Sequence, residues 1–132
     1  MIGIDSSVLI DLLRNKLKAE KLNRFLEEGL CTSEMVVYEI LYGVYKAENF
    51  SQRQLKECEA VIDAFSYVFP IERKASELAA KIAGKLAKAG QTIQHSDALI
   101  AGSLLANGCR KFATKNVRDF ERIEGLEILK FE

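Results

Sequence analysis

The chain has 132 residues, 48% of them hydrophobic and 29% charged, which is the balance of one ordinary globular domain with its own core and not of a disordered or fibrous chain. Nineteen basic residues offset nineteen acidic ones, so no global field draws the chain to nucleic acid, and any such affinity must come from local basic patches. Three scattered cysteines (Cys31, Cys58 and Cys109) with no CxxC pair, and a single histidine, His95, argue against a thiolate or imidazole metal site.

Free thiols suit a reducing interior. The opening "MIGIDSS" lacks the basic start and apolar stretch of a signal peptide. No uncharged apolar run approaches the ~20 residues of a membrane span. The expectation is a cytoplasmic protein without a membrane segment.

In chain order, Met1 to Ile4 is a short apolar strand, buried on both faces. Helical patterns follow over Ser7 to Leu13 and Leu17 to Glu28, the second closed by Gly29. Leu30 to Thr32 is a brief strand, and Ser33 caps the helix containing "EMVVYEILYGVY". Ser51 opens a helix to about Phe65. "SYVFPI" (Ser66 to Ile71) is a strand whose Pro70 marks its end or a sheet edge. Glu72 to Ala89 is a long Ala/Lys-rich helix stopped by Gly90. "QTIQHS" is a loop, with Ser96 capping the helix Asp97 to Ala106. "RKFAT" and "LEILKF" are the last strands, separated by a short helix over Val117 to Arg122. This alternation, without repeats or linkers, predicts one α/β domain: a mostly parallel sheet of about five strands with helices on both faces. Such sheets bind ligands outside the carboxyl ends of their strands, where strand order reverses.

Four acids fall where that rule points. Asp5 follows the first strand and either caps the next helix or faces a ligand. Asp97 opens a helix, where the dipole alone favours a carboxylate. Asp119 has Lys115 and Arg122 one turn away and, taken singly, reads first as a surface ion pair. Glu39 is different: its helical neighbours Met35, Val36, Tyr42 and Gly43 offer no basic partner, and burying an unpaired carboxylate costs several kcal/mol or raises its pKa. Carboxylates gathered from separate elements repel one another unless a cation sits among them. An all-oxygen set selects a hard ion, Mg²⁺ or Mn²⁺.

With these positions marked, the whole chain resembles the PIN-domain family, particularly the VapC-type toxins of toxin–antitoxin pairs. "MIGIDSSVLIDLLR" resembles the family's opening strand, aspartate and Arg-ended first helix. "TSEMVVYEILYG" is similar to its second acidic segment, "HSDALIAGSLLANG" to its third, and "FATKNVRDFERIEGLEIL" to its fourth. Four such segments in order form a strong combined pattern. Ser7 stands where many relatives carry Asn, and Ser96 where many carry Asn or Ala; neither departure removes a carboxylate. Some relatives place an acid at the position of Asn116.

The resemblance implies a PIN-like domain over the whole chain and Mg²⁺- or Mn²⁺-dependent endoribonuclease activity. Asp5, Glu39, Asp97 and Asp119 would form the catalytic and metal-binding quartet. Ser6, Thr114 and Asn116 would line the same pocket. The reaction would be hydrolysis of RNA phosphodiester bonds by a metal-activated water attacking in line. The implied partners are RNA, a VapB-type antitoxin whose basic side chain enters the acidic pocket, and a second copy in a homodimer. Basic residues available to hold RNA are Arg14, Lys16, Lys18, Lys115 and Arg118, each of which also reads as solvated surface charge. Tyr38, Tyr42 and Tyr45 share a helical stripe suited to packing or an interface. The alternative is a non-catalytic PIN-fold module that binds RNA or protein, which has little reason to keep an unpaired Glu39. An aspartyl-phosphate phosphatase would want a second aspartate where Ser7 stands. A phospho-acceptor domain would want one after the third strand, where Pro70-Ile71-Glu72 supplies none.

Overall fold

The short apolar runs become strands and the longer patterns become helices, with the helix over His95–Ala106 largely buried. A computed structural model describes residues 1–130. Five strands, β1 (Ile2–Ile4), β2 (Leu30–Ser33), β3 (Tyr67–Phe69), β4 (Lys111–Thr114) and β5 (Glu127–Lys130), are interspersed with helices α1 (Ser6–Leu13), α2 (Ala19–Glu28), α3 (Glu34–Lys46), α4 (Gln52–Asp63), α5 (Arg73–Lys88), α6 (His95–Ala106) and α7 (Val117–Phe120). The sheet order is β3-β2-β1-β4-β5, and every pairing is parallel. The α/β expectation holds and the sheet is more uniform than anticipated.

β1 sits at the centre. The chain steps outward through β2 and β3 on one side, then crosses back to lay β4 and β5 on the other. Strand order therefore reverses at β1, which puts the crevice at the carboxyl ends of β1 and its neighbours. All three β1 residues are buried, as a strand covered on both faces requires. Phe112 of β4 packs its ring 4.6 Å from Phe120 of α7, which ties the last short helix to the sheet.

Two glycines mark close approaches. A side chain at Gly3 would come within 2.9 Å of Leu104 on α6, and Gly3 also lies beside Cys109, whose thiol meets that of Cys31 at 3.1 Å. At Gly102 an added Cβ would fall 2.5 Å from the Ala75 carbonyl oxygen, so α5 and α6 touch nearly backbone to backbone. All three cysteines are free and buried.

The expected caps at Ser33 and Ser51 are present; their hydroxyls accept from the Met35 and Gln54 amides. Ser96 is not a cap. The loop stays extended only to Gln94, so α6 begins at His95 and carries Ser96 inside its first turn. β3 is shorter than expected and ends before Pro70, which has no N–H to donate to a ladder; it is an edge strand, as that proline implied. The expected last strand reaches Phe131, outside the described residues; β5 is described to Lys130. The tyrosine stripe is on the surface. Tyr38, Tyr42 and Tyr45 are 59%, 53% and 61% exposed, and Tyr38 stacks on Tyr42 at 5.9 Å. That placement removes them from core packing. Among the described residues, no helix is long and apolar enough to cross a membrane.

Candidate active site

Asp5 stands at the carboxyl end of β1, where the parallel ladder stops and α1 starts. Its backbone is extended and its carboxylate caps α1 by accepting from the Val8 amide at 3.2 Å. The same oxygen, Oδ1, accepts from the Ser7 hydroxyl at 2.6 Å, and Oδ2 accepts from the Thr114 hydroxyl at the end of β4. Thr114 Oγ1 in turn accepts from the Asn116 amide at 2.9 Å, and Ser7 Oγ accepts from the Lys115 amide at 3.2 Å. Asp5 is thus a helix cap whose carboxylate also ties α1 to the end of β4. The cap reading holds, Asp5 also lines the cleft described below, and its 5% exposure is accounted for by these donors.

Glu39 and Asp97 have no such cover. Glu39 projects from the middle of α3, where Oε1 is shut off from solvent and has no hydrogen-bond partner among the described residues. Its pKa is raised, first by burial and then by the charges of Asp97 and Asp5. Asp97 lies in the first turn of α6, where the helix dipole should favour its charged form. Burial, Asp119 and Asp5 outweigh that and raise its pKa to about 6, despite the opposing charge of Arg122. Burial first, and then repulsion among acids from four elements, therefore sets the local electrostatics.

Asp5, Ser6, Glu39, Asp97 and Asn116 line one cleft of about 580 Å³, together with Ser7, Gln94, Ser96 and Lys115. Thr114 is fully buried behind Asp5. Asp119 is set apart: it lines an adjoining cleft of about 280 Å³ with Thr92, Ile93, Gln94 and His95. Arg122 holds it at 3.8 Å while also donating to the Thr92 carbonyl at 3.0 Å. Lys115, the other expected partner of Asp119, instead pairs with Asp11 at 2.6 Å, because its backbone is drawn toward Ser7 on α1. A separate groove of about 310 Å³ between α1, α3 and α4 is lined by Ile10, Leu13, Ile40 and Val44 and also reaches Glu39.

Two cleft residues, Gln94 and the hydroxyl of Ser7, carried no signal of their own in the sequence, nor did Asp11, which meets the cleft only through Lys115. Ser7 and Asp11 are four apart on α1, so helical spacing alone places them on one face beside Asp5.

The residues present fit a hydrated hard cation. The acids offer only oxygen ligands, one Glu39 oxygen is buried without a partner among the described residues, and the pKa values of Glu39 and Asp97 are raised by burial and by neighbouring carboxylates. Among the described residues, no three acidic, histidine or cysteine side chains come close enough to grip an ion together. Mg²⁺ is commonly bound through one or two carboxylates while keeping several waters, which suits a cleft of about 580 Å³.

A central parallel strand ending in a pinned aspartate, with further acids converging from neighbouring helices, defines an acidic-pocket α/β protein. The chain belongs to the PIN-domain family, whose profile matches residues 2–126. It is 33% identical over 129 residues to Ribonuclease VapC1 of Rickettsia felis, spanning 96% of this chain and 92% of that protein. It is 28% identical over 127 residues to the tRNA(fMet)-specific endonuclease VapC of Salmonella typhimurium, spanning 95% and 93%. Among solved structures, VapBC2 from Rickettsia felis bound to a promoter DNA fragment superposes with a TM-score of 0.86 at 18% identity over 100% of both chains. DNA-bound VapBC from Salmonella typhimurium gives 0.85 at 26% identity, covering 98% of this chain and 96% of that one.

Proposed function

We propose that the protein is a VapC-type endoribonuclease, the toxin of a toxin–antitoxin pair, which hydrolyses RNA phosphodiester bonds with Mg²⁺ or Mn²⁺. The observation that carries this reading is the uncompensated negative charge at the reversal point of the sheet, above all the orphaned Glu39 oxygen. The curated relatives named ribonuclease and endonuclease support it along nearly the whole chain.

Asp5, Asp97 and Glu39 would surround the hydrated ion, one or two of them directly and the rest through its waters, with Asp119 tuning Asp97 from the adjoining cleft. Bound there, a hard divalent ion supplies charge neutralisation at the phosphate and activation of water at neutral pH. The chain's own contribution is placement. Ser7 and Thr114 fix both oxygens of Asp5, so its lone pairs point one way before any substrate arrives. Asn116 and Ser6 line the wall where the RNA backbone would lie. The depth of Glu39 keeps its charge from being screened by bulk water.

The VapBC structures that share this fold support a VapB-type protein partner. The apolar groove between α1, α3 and α4 reaches Glu39, so an apolar partner segment seated there could place a basic side chain against the acids. A homodimer is consistent with the exposed tyrosine stripe.

The test is cleavage of bulk single-stranded RNA by the purified chain with Mg²⁺, Mn²⁺ or chelator. Activity should require a divalent ion and vanish in Asp5→Ala. A folded protein that leaves RNA intact with every metal, and melts at the same temperature with and without them, defeats the reading.

A further inference from the structure

The acidic cleft contains an ammonium group whose charge is directed away from its acids. Among the described residues lining the cleft, Lys115 is the single cation. Yet Lys115 is not among the charges acting on Glu39 or Asp97; the one lowering influence on Asp97 is Arg122. Lys115 Nζ instead lies 2.6 Å from Asp11 Oδ2.

Asp11 is 8% exposed, whereas the Lys115 side chain is 45% exposed. Burying a carboxylate to make an ion pair adds little net stability, because desolvation offsets most of the attraction. What the pair does provide is position. The Lys115 amide is held by Ser7 and its ammonium by Asp11, so the residue is fastened to α1 at both ends. An ordinary surface lysine is free to move. An ammonium has three donors; one is directed to Asp11, which leaves two for a partner at the open side of the cleft.

A polyanion entering a cleft walled by carboxylates is repelled before it reaches them. A fixed positive point at the rim lowers that barrier locally and registers the strand by one phosphate. We propose that Lys115 binds a phosphate of the RNA strand, and that Asp11 is a positioning residue that holds its ammonium at the rim. This rests on the nuclease reading above.

The test is binding of a short fluorescent single-stranded RNA, followed by anisotropy across a salt series with Ca²⁺ in place of Mg²⁺, with strand integrity checked on a gel. Lys115→Met should weaken binding roughly 10-fold, as loss of a hydrogen bond to a charged group does. It should also lower the slope of log affinity against log salt by ~0.7, one phosphate contact to a single strand. Lys115→Arg should restore both. Asp11→Asn should weaken binding less and keep the parent slope, since the lysine charge survives unanchored. The rise in melting temperature caused by Mn²⁺ should be the same in all four proteins. A Lys115→Met variant with parental affinity and slope overturns the proposal. So does one that loses the Mn²⁺ effect or is not rescued by Arg, because either result makes the pair a structural latch. If the parent binds RNA but never cuts it, the nuclease reading fails while the lysine result still decides this proposal. If the parent binds no RNA, both fail.

Discussion

The two walls of the acidic cleft are built on opposite terms. On the sheet wall, the Asp5 carboxylate receives donors from Ser7, Val8 and Thr114, so a nearly inaccessible charge is fully accounted for. On the helix wall, Glu39 has an oxygen with no partner among the described residues and Asp97 titrates near 6. One wall is finished by the fold, and the other is left with a carboxylate oxygen unpartnered among the described residues. A protein evolved for stability alone would satisfy both, so on the proposed function the helix wall is where binding energy would be collected.

The largest effect should come from removing charge on the unfinished wall. Asp97→Asn should reduce RNA cleavage by roughly 10²-fold or more, the usual scale for deleting an electrostatic group at a reacting phosphate or carbonyl. The same substitution should raise the stability of the metal-free protein by about 1 kcal/mol, since it removes repulsion from Asp5 and Asp119. Opposite signs for activity and stability are the signature; cleavage assays and urea melts in chelator read them separately. A variant destabilised in chelator would mean that Asp97 is held by favourable contacts and that the two walls do not differ.

Damage to the finished wall should have a single sign. Thr114→Val keeps the shape of a fully buried side chain but leaves one Asp5 oxygen and the Asn116 amide without their shared hydroxyl. An unsatisfied buried group beside a charge costs about 2 kcal/mol. Chelator melts should show that loss, and cleavage should fall with it. An unchanged melting curve would show water replacing the hydroxyl, hence a wetter sheet wall than the hydrogen bonds indicate.

The contrast between the walls also explains what the sequence could and could not reveal. Asp5, Asp97 and Glu39 were legible because each follows a local rule or breaks one: an acid after a strand, an acid opening a helix, an acid with no helical partner. Convergence was inferred from strand alternation and the reversal rule, and the cleft does join these three with Ser6 and Asn116. Asp119 was legible as an acid but not as a neighbour at one remove. Its setting depends on Arg122 reaching back to Thr92, a contact 30 residues apart in the chain. The Lys115–Asp11 pair was hidden for the same reason. Local spacing offered Asp119 as the partner, and only the parallel β1–β4 pairing brings α1 against the end of β4.

The pH dependence sharpens the comparison at a smaller scale. The folded-state pKa of Asp97 is raised to about 6, so between pH 4 and 6 the folded chain holds a proton that the unfolded chain has released. The stability from this group is greatest below its ordinary pKa of 3.8 and is lost as pH rises through 6; the raised pKa of Glu39 acts in the same direction. Metal-free protein should therefore lose about 1 kcal/mol between pH 5 and pH 7, after allowance for partial solvation, and Asp97→Asn should flatten that slope. Mn²⁺ competes with the proton, so its stabilising effect should be larger at pH 7 than at pH 5. Metal stabilisation of equal size at both values would place the ion away from Asp97.

The smallest effect should come from Glu39→Gln, and it isolates the orphaned oxygen. The amide keeps the length of the side chain and removes its charge, so repulsion from Asp97 and Asp5 ends while the buried oxygen still lacks a donor. Relief and residual cost nearly cancel, and the metal-free protein should gain only about 0.5 kcal/mol. A neutral amide oxygen is a poorer ligand for a hard cation than a carboxylate, so the Mn²⁺-induced rise in melting temperature should shrink clearly in the same variant. If Glu39→Gln instead destabilises the metal-free protein by 1 kcal/mol or more, the carboxylate has a donor in solution. The helix wall would then be as complete as the sheet wall, and the cleft would hold no vacancy for a counter-charge.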